Sequence, residues 1–459
     1  MHPFAIELDD RAVAFARDGR VLSIAPSAVW DGSSGELPGT NAWGGLRRHP
    51  TASSTRHLGS LLGQPSATDR TVALVAAELV RRLATQSPVP GERVWLAAPA
   101  RASTRGLSAM LAIARHLSLP IDGFVDSAVA SVAALALERS AIVLEVGMHH
   151  AAATFVDRDG AQVRRRRTVL TDHGGLLSFY QGWLELVSTT MVKRTRFDPL
   201  HNAATEQQLF DSLSGWARDA AAHGSASAAV TRGTERFEVA LTRDQFAQAG
   251  QSSHREILGL LHELRPAGAP LALVVPSGVG ALPGLRDELE QFVDCELVSL
   301  PDGFAAMATS KLDLPERAGD DPIRLLRRLP VWERPEIATA VTRELLSARR
   351  GGSLSPSHLL LNHQVYALRA EPLVIGRLPA GPRTIALPDG LAGVSRRHCT
   401  LMPEGDELVL VDHSNFGTFV NGERVAERVR VRAGDRVRLG DPGVELALIA
   451  VDETPAVAN

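Results

Sequence analysis

Close together near the C-terminal end of the chain stand Gly376-Arg377, Ser395-Arg396-Arg397-His398, Ser414-x-x-Gly417-Thr418 and Asn421-Gly422, with Asn415 inside the third group. They supply guanidinium, hydroxyl, imidazole and amide groups, punctuated by glycines. A phosphate dianion needs charged and neutral donors converging on one point, and this set contains both kinds. Other groups point to less. His149, His150 and His173 lie near acidic residues, yet their spacing matches no zinc-ligand pattern, so no metal site is expected. The run Arg164 to Arg167 reads as a solvated strand at a sheet edge. It is too short, on a slightly acidic chain, to grip nucleic acid. Cys295 and Cys399 are the two cysteines, too far apart in sequence for a disulfide framework or a zinc site.

The elements that must position these groups follow from texture and length. A chain of 459 residues exceeds what one core usually carries, so two or three domains are expected. The 49 basic and 52 acidic residues nearly cancel, which argues against a whole surface built for nucleic acid or anionic lipid. The first residues lack a basic segment followed by an apolar run, and no stretch is apolar enough to span a bilayer. A reduced, cytoplasmic protein is expected. Residues 1–312 alternate β-branched runs with Ala/Leu-rich stretches, an α/β pattern. Residues 313–356 are rich in Pro, Arg and Gly and predict a linker. Within it, Ile337, Val341 and Leu345 form one apolar stripe of a helix running from Pro335 to Gly351-Gly352. Residues 357–452 show short strands separated by turn residues, an all-β sandwich, and 453–459 form a flexible tail.

The first region contains an internal echo. Phe4 to Ile24 and Ser140 to Val163 each run strand, turn, strand, Arg-Asp-Gly turn, strand, and each carries an acidic residue in its first strand, Glu7 and Glu145. Such a repeat predicts a duplicated fold with a cleft between its halves, although alternating strands and turns also recur by chance.

The motifs from Leu373 to Val425 resemble those of a forkhead-associated (FHA) domain, in family order and at family spacing. The resemblance implies a β-sandwich whose loops at one end bind phosphothreonine peptides. It assigns a guanidinium contact to Arg377, a hydroxyl to Ser395, a further donor to Arg396 and peptide contacts to Asn415 and Asn421. Gly376, His398, Gly417, Thr418 and Gly422 become structural supports. The chain departs from the family at Phe416, where many members have a peptide-binding asparagine. Gly393 aligns with the position that reads the third residue after the threonine, which implies no strong charge preference there.

Residues 4–312 resemble the ATPase domain of the actin and DnaK-type chaperone superfamily, in the order of pieces more than in any single motif. The pieces are Val94 to Ile121, Val125-Asp126-Ser127-Ala128, Asp172-His173-Gly174-Gly175, Leu241 to Phe246, Leu273 to Phe292 and the Ala-rich segment from Pro301. The resemblance implies a two-lobed α/β nucleotide-binding domain. Candidate cofactor-binding positions are Gly147, Gly174, Gly175, Ser277 and Gly278, and Glu7, Asp126 and Glu145 are the carboxylates that would hold magnesium through water. The phosphate loops depart from the pattern. The first reads Glu7-Leu8-Asp9-Asp10, where glycine and threonine are expected; the second reads Glu145-Val146-Gly147-Met148-His149-His150, with one glycine of three. Carboxylates at a phosphate position repel it. No cofactor is therefore expected, with Mg-ATP kept as the alternative. The reading is a phosphothreonine-recognising adaptor. Its FHA domain binds a Thr-phosphorylated protein, and its actin-like body, a pseudo-ATPase, docks a second protein. The alternative is an ATPase regulated by phosphoprotein binding.

Overall fold

A computed structural model describes residues 2–30, 42–63, 68–135, 137–265, 271–289, 292, 295–317, 322–332, 342–346, 356–361, 364–388, 390–405, 407–441 and 443–449. The chain divides into two compact units. One comprises residues 1–257, 272–288 and 297–343; the other comprises 258–271, 289–296 and 344–459.

The first unit is built on two mixed sheets with the same strand logic. In the six-stranded sheet the order is Leu325–Leu326, Ile121–Asp126, Val94–Ala98, Phe4–Leu8, Ala12–Arg17, Arg20–Pro26. Phe4–Leu8 runs antiparallel to Ala12–Arg17 and parallel to Val94–Ala98. In the seven-stranded sheet the order is Arg328–Pro330, Gln162–Thr171, Ala151–Asp159, Ala141–Val146, Leu271–Pro276, Cys295–Leu300, Thr342–Leu346. Ala141–Val146 likewise runs antiparallel to its hairpin partner and parallel to Leu271–Pro276. The echo in the sequence is thus a repeated meander followed by a parallel crossover. The second hairpin of each meander closes on two residues. Asp18 and Gly19 both take positive φ (49° and 73°), the conformation that right-twisted strands need in so short a loop; Gly160 does so at 61°.

Small residues bring the sheets together. The helix Ser127–Leu135 is buried along its whole length and shares one core with Trp95, Ala97, Val143, Val156 and Phe304. The second core lies on the six-stranded sheet, where Phe4, Leu96 and Phe124 meet Leu58, Leu62, Leu79 and Met110. There Ser103 caps the helix Thr104–His116 through the Gly106 amide at 3.0 Å and donates its hydroxyl to the Leu62 carbonyl at 3.0 Å.

Two expectations are corrected. The stretch read as a linker supplies edge strands to both sheets: Leu325–Leu326 pairs with Phe124 and Val125, and Arg328–Pro330 pairs with Gln162 to Arg164. The helix expected from Pro335 to Gly351 lies partly outside the described residues, and its described part, Thr342–Leu346, is a strand at the edge of the seven-stranded sheet. A free sheet edge satisfies backbone groups as a helix does, and pairing outweighs a weak local stripe.

The second unit carries the sandwich. One sheet orders Gln364–Ala367, His358–Leu361, Val444–Ile449, Arg436–Leu439, Thr418–Val420, Glu423–Arg424. The other orders Thr384–Ala386, Leu373–Gly376, Cys399–Glu404, Glu407–Asp412, Arg428–Val431. Their inward residues, among them Leu359, Ile375, Leu401, Leu410, Val437 and Leu448, make one core. Both cysteines are buried and unpaired with each other, and burial pushes the Cys399 thiol well up. Among the described residues no helix is long and apolar enough to cross a membrane.

At Gly106 the helix approaches its neighbour so closely that a Cβ would collide with the Leu61 and Leu62 carbonyls. Gly106→Ala should therefore destabilise the protein by about 1–3 kcal/mol through overpacking, although alanine alone favours a helix by about 1 kcal/mol. A thermal scan checks the sign: a raised melting temperature would show that the two helices separate freely.

Candidate functional site

Three loops of the sandwich meet through one buried imidazole. His398 is fully buried. Its Nδ1 accepts from the Ser395 amide at 3.0 Å, so the other nitrogen carries the proton and donates to the Gly417 carbonyl at 3.2 Å. Burial lowers its pKa, although the Gly417 carbonyl opposes this; the ring works as a neutral brace. Backbone bonds finish the lattice. The Arg377 amide donates to Ser395 O at 3.1 Å and the Leu378 amide to Arg396 O at 2.9 Å. Gly376 permits this approach, since a Cβ there would collide with the Arg396 carbonyl.

The Ser414–Thr418 loop is held from below by Asp412. Its carboxylate accepts from the Ser414 amide at 2.9 Å and the Thr418 hydroxyl at 2.7 Å. Burial pushes this carboxyl up, but the Thr418 and Ser414 donors outweigh it and hold the pKa below the usual range. The Ser414 hydroxyl accepts from the Gly417 amide at 2.8 Å, and Gly417 takes a φ of 86°. The Asn415 amide donates to Ser395 Oγ at 3.1 Å, which leaves that hydroxyl's own proton to be offered outward. Arg377 is aimed by its Nε, which donates to Val394 O at 2.6 Å. Arg396 and Asn415 are exposed. The lattice therefore gathers Arg377, Ser395, Arg396 and Asn415 at one end of the sandwich.

Asn421 differs from the expectation that it contacts peptide. It is 4% exposed; its amide donates to Asp435 at 3.0 Å and its carbonyl accepts from the Arg436 amide at 2.9 Å. With both ends used inward and φ at 51°, it holds the turn before Gly422. Arg424 was not singled out in the sequence. Its guanidinium lies over Gly417, with Nε 2.9 Å from where a Cβ would sit, so the missing side chain of Gly417 makes its seat. The one signal for it was a basic residue just beyond Asn421-Gly422. Among the described residues neither Arg396 nor Arg424 has a carboxylate partner.

The carboxylates of the first unit are arranged differently. Asp10 turns onto the 147–150 loop, where it accepts from the Met148 amide at 2.8 Å and the His149 amide at 3.4 Å and meets His150 Nδ1 at 3.1 Å. A Cβ at Gly147 would collide with this carboxylate. Burial pushes Asp10 up, but the His150 contact outweighs it and keeps the group ionised, while burial and the Asp10 charge push neighbouring Asp9 far up. Gly175 serves the same loop, since a Cβ there would lie 2.5 Å from the Met148 carbonyl, whereas Gly174 packs against Ala151 and Thr171.

The other candidates also have partners within the unit. Glu7 accepts from the Ala306 amide at 3.0 Å. Asp126 accepts from the Val129 amide and pairs with Arg165 at 2.8 Å, so Arg165 leaves the solvated run it was assigned to. Glu145 accepts from the Ala100 amide at 2.7 Å and from the Ser127 hydroxyl. Arg11 pairs with Asp302 at 2.8 Å and lies beside Gly278, which follows Ser277. Glu7, Arg11, Ser127 and Glu145 line a cavity of about 60 Å³. A second cavity, of about 220 Å³, is lined by Asp10, Arg56, Arg101, His149 and Asp172. The Asp10 carboxylate itself sits on the amides of the 147–150 loop.

Burial raises the Glu145 pKa to about 6, with the Asp126 charge adding to it and the Ser127 and Ala100 donors opposing. An acid raised in the folded state from an ordinary 4.5 contributes its full stability below pH 4.5 and loses it as pH rises through 6. That amounts to about 2 kcal/mol at alkaline pH. Glu145→Gln should therefore melt higher than the parent at pH 8, with the gap closing toward pH 4. Equal melting at pH 8 would show that the carboxylate is ionised without penalty.

No curated protein matches the chain. Residues 373–440, which contain Arg377, Ser395, Arg396, His398 and Asn415, match the family model described as the FHA domain, and this part of the chain is such a domain, which implies a phosphothreonine-reading role in signalling.

Proposed function

We propose that this protein is a non-enzymatic adaptor. Its FHA domain captures a threonine-phosphorylated protein, and its two-sheet body, which we read as actin and DnaK-like from its sequence, docks a second protein. The observation that carries the first half is the His398-braced lattice, which gathers Arg377, Ser395, Arg396 and Asn415 at one place. Among the described residues no carboxylate bonds Ser395, Arg396 or Asn415. A phosphate dianion supplies the charge these donors lack, and charge-assisted bonds of this type are the strong ones. The observation that favours a scaffold over an ATPase is Asp10, an internal anion on the loop amides where a nucleotide phosphate would have to sit.

Phosphothreonine peptides should bind the full chain, and their unphosphorylated forms should not. Arg377→Ala should weaken binding by roughly tenfold to a hundredfold, the loss expected for one charge-assisted contact of about 1.5–3 kcal/mol. Isothermal titration decides it; unchanged affinity would remove Arg377 from the site. Millimolar Mg-ATP should leave the melting temperature of the first transition unmoved. A shift of several degrees would revive the regulated ATPase with Glu7, Asp126 and Glu145 as its carboxylates.

A further inference from the structure

Two large apolar side chains stand in water beside the phosphate-reading residues. Leu378, next along the chain from Arg377, is 71% exposed, and Phe416, next after Asn415, is 55% exposed. Ile24, Val80, Leu170, Val192 and Val365 are also exposed, each singly on a helix or strand, and Val89 stands alone in a loop, as surface apolar residues commonly do. Leu378 and Phe416 belong to loops that both fasten to residues 395–396. The Leu378 amide donates to Arg396 O at 2.9 Å and the Asn415 amide to Ser395 Oγ at 3.1 Å. Neither loop is free to fold its apolar side chain inward. The backbone on each side is pinned by the same bonds that gather the phosphate donors, and the core beneath is already filled by Ile375, Val394 and Cys399.

Apolar groups whose backbone is already pinned at the rim of a polar site give up little further entropy on binding, so they read a partner's side chains at low cost. We infer that the FHA site selects phosphothreonine flanked by apolar residues, which seat against Leu378 and Phe416 while the phosphate meets Arg377, Ser395 and Arg396. This rests on the phosphothreonine reading and narrows it to a substrate class. The surface is continuous with the phosphate donors along the chain, and for that reason the occupant is the phosphopeptide itself.

The test uses the full chain and two sets of peptides around a fixed phosphothreonine, one with Leu, Ile or Phe at the three positions on either side, the other with Ser or Asp there. Fluorescence anisotropy should show the best apolar-flanked peptides binding about tenfold tighter, the gain expected from covering one such side chain. The double variant Leu378→Ser/Phe416→Ser should lose that tenfold preference and still bind the Ser-flanked phosphopeptide as the parent does, which also shows that it is folded. Equal affinity of the parent for both sets, or a preference that survives in the double variant, would overturn the inference while leaving phosphothreonine recognition intact. Failure of every phosphopeptide to bind would overturn both. Self-association of the parent that disappears in the double variant, without any flank preference, would assign the surface to a second copy of the chain instead.

Discussion

An inward-facing backbone amide must meet an acceptor, and two loops of this chain meet that demand in different ways. In the first unit the Met148 and His149 amides receive the Asp10 carboxylate from a strand end far away in sequence. Much else follows from that contact. Gly147 must lack a Cβ to admit the carboxylate, Gly175 must let the next helix start against the loop, and burial together with the Asp10 charge pushes the neighbouring Asp9 carboxyl far up. Arg11 then pairs with Asp302, and Glu7 turns to the amide of Ala306. The result is a set of buried carboxylates that find partners within the chain.

In the sandwich the loop amides are met by a neutral imidazole as well as by a carboxylate. His398 is the member that makes this possible, because a neutral imidazole can accept from one loop and donate to another with no charge to bury. A lysine or arginine in its place would bring a charge into the core, and a leucine would leave the Ser395 amide and the Gly417 carbonyl unpartnered, each at a cost of about 1–3 kcal/mol. Asp412 performs the matching task beneath Thr418 and Ser414. Both groups are spent wholly on loop shape. The backbone at Ser395 and at the Ser414–Asn415 turn is thereby positioned from within the sandwich.

What the sequence made legible follows the range of the interactions. The sandwich motifs were readable because their determinants are local: a glycine where backbones nearly touch, a left-handed Asn421-Gly422 turn, a Ser-x-x-His separation that lets His398 reach back to Ser395. The duplicated meander was readable for the same reason, from Asp18-Gly19 and Gly160. The role of Asp10 was not, since its partners lie 138 to 140 residues away and a carboxylate pair reads equally as phosphate repulsion or as an internal anion. Asn421 was assigned to the peptide because family position does not reveal which way a side chain turns. The stripe of Ile337, Val341 and Leu345 suggested a helix, and the described strand Thr342–Leu346 shows a sheet edge overriding it. Leu378 and Phe416 were invisible as exposed groups, because an apolar residue in a loop is as ready to enter a core as to face water.

Charge distribution on the sandwich separates its binding end from the rest. Four arginines on the strands Arg428–Val431 and Arg436–Leu439 are matched by carboxylates: Arg428 with Glu404 at 2.7 Å, Arg430 with Glu407 at 2.9 Å, Arg436 with Glu445 at 3.3 Å and Arg438 with Asp441 at 3.1 Å. Such exposed pairs contribute little to stability, about 0–1 kcal/mol each. Their effect is to neutralise the flanks. Among the described residues Arg396, Arg397 and Arg424 have no carboxylate partner, so positive potential is left concentrated at the loops around Ser395 and Gly417. On a chain whose net charge is −3, that is a local excess of positive charge. The matched arginines and the unmatched ones are therefore parts of one arrangement, in which surface ion pairs confine the excess to the loops around Ser395 and Gly417.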